Sequence, residues 1–156
     1  MADIGLLFPV QSTSEDETRS LGRQFGMTLS KGDVVALVGD LGAGKTQFVK
    51  GVASCFGIDE DQVSSPTFTI VHEYLAPASV AHSPRVPLYH MDLYRLKNDQ
   101  EVFGAGVEEY LQSDGICLIE WPERAGHLLP EGTHVVSLKH LPEGKRLIEY
   151  QSVPAL

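Results

Sequence analysis

Positive charge is scarce in this chain: 12 lysines and arginines stand against 21 aspartates and glutamates, for a formal net charge of −9. Direct capture of nucleic acid leans on a basic surface that releases counterions from phosphates. The chain alone is a poor candidate for that role, while service to a nucleic-acid pathway through a basic partner stays open. Cysteine is scarcer still. Cys55 and Cys117 lie far apart, lack metal-ligand spacing and sit in apolar surroundings. Two buried, reduced thiols are expected, not a disulfide framework or a zinc site. No apolar run approaches the roughly 20 residues that cross a bilayer. The opening MADIGLLFPVQSTSEDE lacks the basic start and long apolar core of a secretory signal. Repeats and low-complexity tracts are also missing. Together these absences lead to the expectation of a cytoplasmic protein without membrane association.

What remains is ordinary globular material: 156 residues, 42% hydrophobic and 21% charged. That length suits one domain, spanning 1–156, with a sizeable core. Ser14 reads as a helix N-cap, with Glu15, Asp16 and Glu17 in the first turn where acids favour the helix dipole. Leu21, Phe25 and Leu29 give that helix an apolar face, and Gly32 is its expected stop. VVALVG (Val34–Gly39) is apolar throughout and rich in β-branched residues, the pattern of a strand buried on both faces. After it, KTQFVKGVASCFG sets Phe48, Val52 and Phe56 on one helical face and ends at Gly57. Strand, tight loop and helix make the first half of a βαβ unit.

TFTIVHEY (Thr67–Tyr74) alternates, and VPLYHMDLYRL (Val86–Leu96) is extended. The proline-bearing LAPASVAHSPR between them reads as an exposed loop, so an antiparallel hairpin is expected. NDQEVFGAGVEEYLQSDG is helical in character but weakened by Gly104 and Gly106. ICLIEWP gives a second fully apolar strand, Ile116–Ile119, ending on Glu120. THVVSLKH and KRLIEYQS flank LPEG as a terminal hairpin. The expected fold is α/β, with a mixed sheet of parallel central strands and antiparallel additions.

Between the first buried strand and its helix lies GDLGAGKT. Gly39, Gly44, Lys45 and Thr46 satisfy G-x-x-x-x-G-K-[ST], and the strand before and helix after supply the context that a phosphate-binding loop needs. A loop wrapped around a phosphate points several backbone N–H groups inward, which glycine permits. The following helix aims its N-terminus at the same anion. Lys45 would meet the β- and γ-phosphates, and the Thr46 hydroxyl would ligate Mg²⁺.

Other candidates are graded by position. Glu120 ends a buried strand, where a nucleoside triphosphatase needs a second acid for its metal. Asp92 interrupts an apolar extended segment; a role on water or metal and a place as a solvated strand-edge residue both fit. In SSPTFT, Pro66 fixes the backbone and Thr67 can bring a hydroxyl to the γ-phosphate, or the segment is simply a turn. Trp121 is core, pocket wall or partner contact. The six histidines show no metal-ligand spacing and read as structural or surface. With no N-K-x-D to read guanine, adenine is the expected base. A small-molecule kinase and a nucleotide-gated binding module remain alternatives to an ATPase; the kinase lacks an arginine-bearing lid.

Taken in order, GDLGAGKT, SSPTFTIVHEY, YHMDLYRL and IEWPER resemble the TsaE family of bacterial P-loop ATPases, from about Leu7 to Tyr150. The resemblance implies an Mg²⁺-dependent ATPase that works with TsaB and TsaD in threonylcarbamoyladenosine modification of tRNA. The tRNA would be reached indirectly, through those partners. It implies nucleotide contacts along Asp40, Leu41, Gly42, Ala43, Gly44, Lys45, Thr46 and Gln47, and metal ligation by Thr46 and Glu120. Lys45, Thr67, Asp92 and Glu120 are implied in hydrolysis, and Trp121 beside the site. Ser14 and Glu15 at the first helix, with Lys145 in the last hairpin, are implied to border the adenine. The loop from Ala76 to Pro87 looks longer than the family's usual one.

Overall fold

The computed structural model of the chain describes residues 4–40, 42–66, 70–76 and 85–153. Seven strands form one mixed sheet in the order β1-β7-β6-β2-β5-β4-β3. They are β1 (Val10–Ser12), β2 (Val34–Val38), β3 (Val71–Tyr74), β4 (Leu88–Asp92), β5 (Ile116–Glu120), β6 (His134–His140) and β7 (Arg146–Ser152). The centre is parallel, β2 pairing with β5 and β6, and β5 with β4. The additions are antiparallel: β3 on β4 at one edge, β7 on β6 and β1 on β7 at the other. This is the architecture expected from the two all-apolar strands and the two hairpins.

The sheet is covered on both faces. One face carries α2 (Glu15–Gly26) and α3 (Lys45–Cys55), whose Phe25, Phe48, Val49 and Val52 pack with Val35, Leu37, Leu88 and Leu118. The other carries α4 (Asp99–Gly104) and α5 (Val107–Leu111), with Val102, Val107 and Leu111 against Met91, Cys117 and Ile119. Alternate residues of β5 thus serve opposite cores, which is why every position of the strand is buried. A short helix α1 (Ile4–Leu7) precedes β1.

Helices α2 and α3 approach closely because glycines face each other at their crossing. A Cβ on Gly51 would run into the backbone of Arg19 and Arg23, and one on Gly22 into the carbonyl of Phe48. The side chains reinforce the contact: Arg19 Nη1 donates to Gln47 Oε1 at 2.6 Å, and Arg23 Nε to Ser54 Oγ at 3.1 Å.

Some boundaries differ from expectation. Helix α2 ends at Gly26, before Leu29, because Thr28 turns back and both its N–H and its hydroxyl donate to Phe25 O. Strand β4 stops at Asp92, whose Oδ1 accepts from Tyr94 N at 3.0 Å and turns the chain before Leu96. The helical stretch after Asn98 is two helices, divided where Gly106 takes φ 75°. Thr67 to Thr69 and most of the loop that follows β3 lie outside the described residues. The ends of that loop are joined by Arg85 Nε, which donates to Ala76 O at 2.8 Å. Among the described residues no helix is long and apolar enough to cross a membrane.

Candidate functional site

The three parallel strands β2, β5 and β4 end side by side. In register, Leu37 lies opposite Glu120, and Glu120 opposite Asp92. Facing residues of neighbouring strands project to the same face, so both carboxylates stand together at this edge. Here β2 turns into the glycine loop. Gly42 takes φ 80° and Gly44 φ 102°, a left-handed conformation that a Cβ would strain. Gly44 is also the N-cap of α3, and no side chain caps that helix end. Its first N–H groups therefore point toward the loop with no side-chain acceptor, an arrangement suited to an anion.

Lys45 is only 7% exposed. Its Nζ donates to Gly39 O at 2.7 Å, lies 3.8 Å from Glu120 Oε1, and sits 5.1 Å from the centroid of the Trp121 ring. Glu120 is buried, and its Oε2 is hydrogen-bonded to His90 Nε2 at 2.7 Å. Trp121 follows directly with φ 57°, an uncommon conformation for an aromatic residue. Its ring packs on Tyr94 at 4.9 Å. Asp92 is half-buried. Burial first, then the charge of Glu120, pushes its carboxyl above the usual range, against the opposing pull of the Tyr94 N–H, Lys45 and His90.

These groups share a cavity of about 440 Å³, within the span of small-molecule sites. Of the expected residues, Ser14, Glu15, Gly42, Gly44, Lys45, Thr46, Gln47, Asp92, Glu120 and Trp121 line it. Asp40 and Ala43 do not; Ala43 is wholly buried, and its N–H closes the loop onto Asp40 O at 3.0 Å. Lys145 is not on the wall either, which its neighbours Gly144 and Arg146 form. Leu41 and Thr67 lie outside the described residues, though Ser65, just upstream of Thr67, lines the cavity.

Sequence reasoning missed three contributors. Thr18 is one turn beyond Ser14 on α2, a spacing that could have revealed it. Arg146 opens β7, and its Nη2 donates to Gly42 O at 3.2 Å, bringing a second cation to the glycine loop. His90, expected to be structural or on the surface, is fully buried, and what the sequence did not reveal is its hydrogen bond to Glu120.

The arrangement has two poles. Lys45, Arg146 and the start of α3 gather positive potential; Glu120 and Asp92 oppose it. Among the described residues no cluster of three His, Cys, Asp or Glu would hold a metal by itself. Thr46 and Glu120 offer hard oxygen donors, and such a sparse set fits Mg²⁺, which typically takes one or two carboxylates and completes its shell with phosphates and water.

Comparison with known proteins agrees with this geometry. The family model described as threonylcarbamoyl adenosine biosynthesis protein TsaE matches residues 12–148. The tRNA threonylcarbamoyladenosine biosynthesis protein TsaE of Treponema pallidum is 44% identical over 137 residues, covering 88% of this chain and 95% of that one. Its counterpart in Bacillus subtilis is 36% identical over 143 residues, covering 92% and 84%. The crystal structure of Bacillus subtilis YdiB superposes with a TM-score of 0.72 at 32% identity, covering 94% of this chain and 85% of that one. The family match runs from β1 into β7 and takes in every described cavity residue from Ser14 to Arg146, so this chain belongs to the TsaE family of threonylcarbamoyl adenosine biosynthesis proteins.

Proposed function

We propose that the protein is an Mg²⁺-dependent ATPase that acts with TsaB and TsaD in forming threonylcarbamoyladenosine on tRNA. One observation carries the reading: a glycine loop, its lysine and two strand-end carboxylates converge on one cavity. In this reading the loop N–H groups and Lys45 hold the β- and γ-phosphates. Ser14, Glu15 and the strip around Lys145 border the base, with adenine preferred over guanine. Thr46 and Glu120 hold Mg²⁺, which supplies charge neutralisation on the phosphate oxygens. Asp92 and Thr67 orient the attacking water. The bond from the γ-phosphorus to its bridging oxygen breaks, and ADP and inorganic phosphate leave. Turnover is slow without partners.

Two experiments test this. ATP at 100 times its dissociation constant should stabilise the fold by about 2.7 kcal/mol. Lys45→Ala should still fold but lose the corresponding rise over its own ligand-free Tm, and a retained rise would remove Lys45 from phosphate binding. Calorimetry and phosphate release, measured with TsaB and TsaD, then separate binding from chemistry. Glu120→Ala should lose both metal affinity and turnover. Asp92→Ala should keep ATP affinity yet turn over roughly a hundredfold or more slowly, since it acts mainly in the transition state. Wild-type turnover in Asp92→Ala would leave that residue a strand-end acid. Phosphate appearing on an acceptor, not in solution, would favour a kinase.

A further inference from the structure

We infer that His90 is a positioning residue for Glu120: its Nε2–H anchors one carboxylate oxygen so that the other stays turned toward Lys45 and the bound metal. The inference rests on the proposed role of Glu120 as a metal ligand. His90 stands in the β4 row Leu88–His90–Asp92, with Leu118 of β5 as its register partner, on the face packed against α2 and α3. It is 0% exposed. A buried polar ring there is penalised unless hydrogen-bonded, and among the described residues the ring has a single bond, from Nε2 to Glu120 Oε2 at 2.7 Å, while Nδ1 has none. An ionised carboxylate only accepts. The donor in this bond is therefore the Nε2–H.

The two oxygens of Glu120 are thereby made unequal. Oε2 is held from the core side, while Oε1 lies 3.8 Å from Lys45 Nζ, near the limit of an ion pair. The terminal torsion of a glutamate is soft. Without the anchor, the carboxylate is free to rotate, withdrawing an oxygen from the metal. Groups that orient metal-binding side chains in this way typically account for about 10–100-fold in metal affinity.

The test titrates Mg²⁺ into protein and ATP, with Trp121 fluorescence as the signal, and measures ATP affinity in EDTA by calorimetry. His90→Phe keeps a ring of similar size but no donor. It should weaken apparent Mg²⁺ affinity roughly 10–100-fold and leave metal-free ATP binding unchanged. His90→Gln restores an N–H donor and should recover most of the loss; it also carries the test if the phenylalanine variant fails to fold, with His90→Asn, whose shorter amide falls short of Glu120, as its contrast. A wild-type Mg²⁺ titration in the variants without a donor overturns the inference, as does an equal loss of binding in EDTA, the mark of a merely structural role. Glu120→Gln separates the two layers of the argument. If it too titrates like wild type, the metal-ligand reading fails; if it loses Mg²⁺ dependence while His90→Phe does not, only the positioning role fails.

Discussion

At the scale of single residues, the site gives up stability most visibly at Asp92. Its carboxyl titrates above the ordinary range, chiefly because burial penalises the charge. Between the ordinary value and the raised one, the folded chain keeps a proton that the unfolded chain has released. Stability therefore falls as pH rises through that window, and the cost stands in full at neutral pH. Asp92→Asn should melt at a higher temperature than wild type at neutral pH, and its advantage should shrink as the solution is acidified through the titration of Asp92. Thermal melts across that range are the check, and a constant difference would mean that the charge is not the cause. Residues such as Lys45, Thr46 and Glu120 were legible in the sequence because motif spacing and strand ends announce them. His90 and Arg146 were not. His90 meets an acid 30 positions away, and Arg146 meets a loop 104 positions away. Local pattern carries no trace of either contact.

At the scale of elements, what was legible follows burial. Val34–Val38 and Ile116–Glu120 are covered on both faces, so their composition alone declared them. Ends fixed by single hydrogen bonds, such as Thr28 on Phe25 or Tyr94 on Asp92, stayed hidden because side-chain period says nothing about where a turn begins. The close crossing of α2 and α3 links fold to site, since α2 brings Ser14, Glu15 and Thr18 to the cavity while α3 brings Lys45 and Thr46. Gly51→Ala should force the helices apart. An overpacked contact of this kind costs about 1–3 kcal/mol, which would appear as a lower denaturant midpoint with weaker ATP binding. Normal stability would mean that the backbone of α2 yields easily at Arg19.

At the scale of the whole molecule, charge and topology govern what the protein can meet and when it becomes complete. With a net charge of −9, the isolated chain should not shift tRNA in a gel at physiological salt, and a shift should require its proposed partners. A shift by the chain alone would point to a concentrated basic surface that the overall balance hides. The topology has a further consequence, in time. The adjacent strands β2 and β5, which end at the cavity, come from far-separated parts of the chain, and the wall beside the glycine loop is supplied by Gly144 and by Arg146, the first residue of the last strand. A ribosome adding about 5–20 residues per second has therefore finished the glycine loop on the order of ten seconds before it makes the hairpin that walls it. Throughout that interval the nascent chain carries the glycine loop without the enclosure. Under the proposed function, nucleotide capture would thus wait until late in synthesis, when the last hairpin closes the cavity.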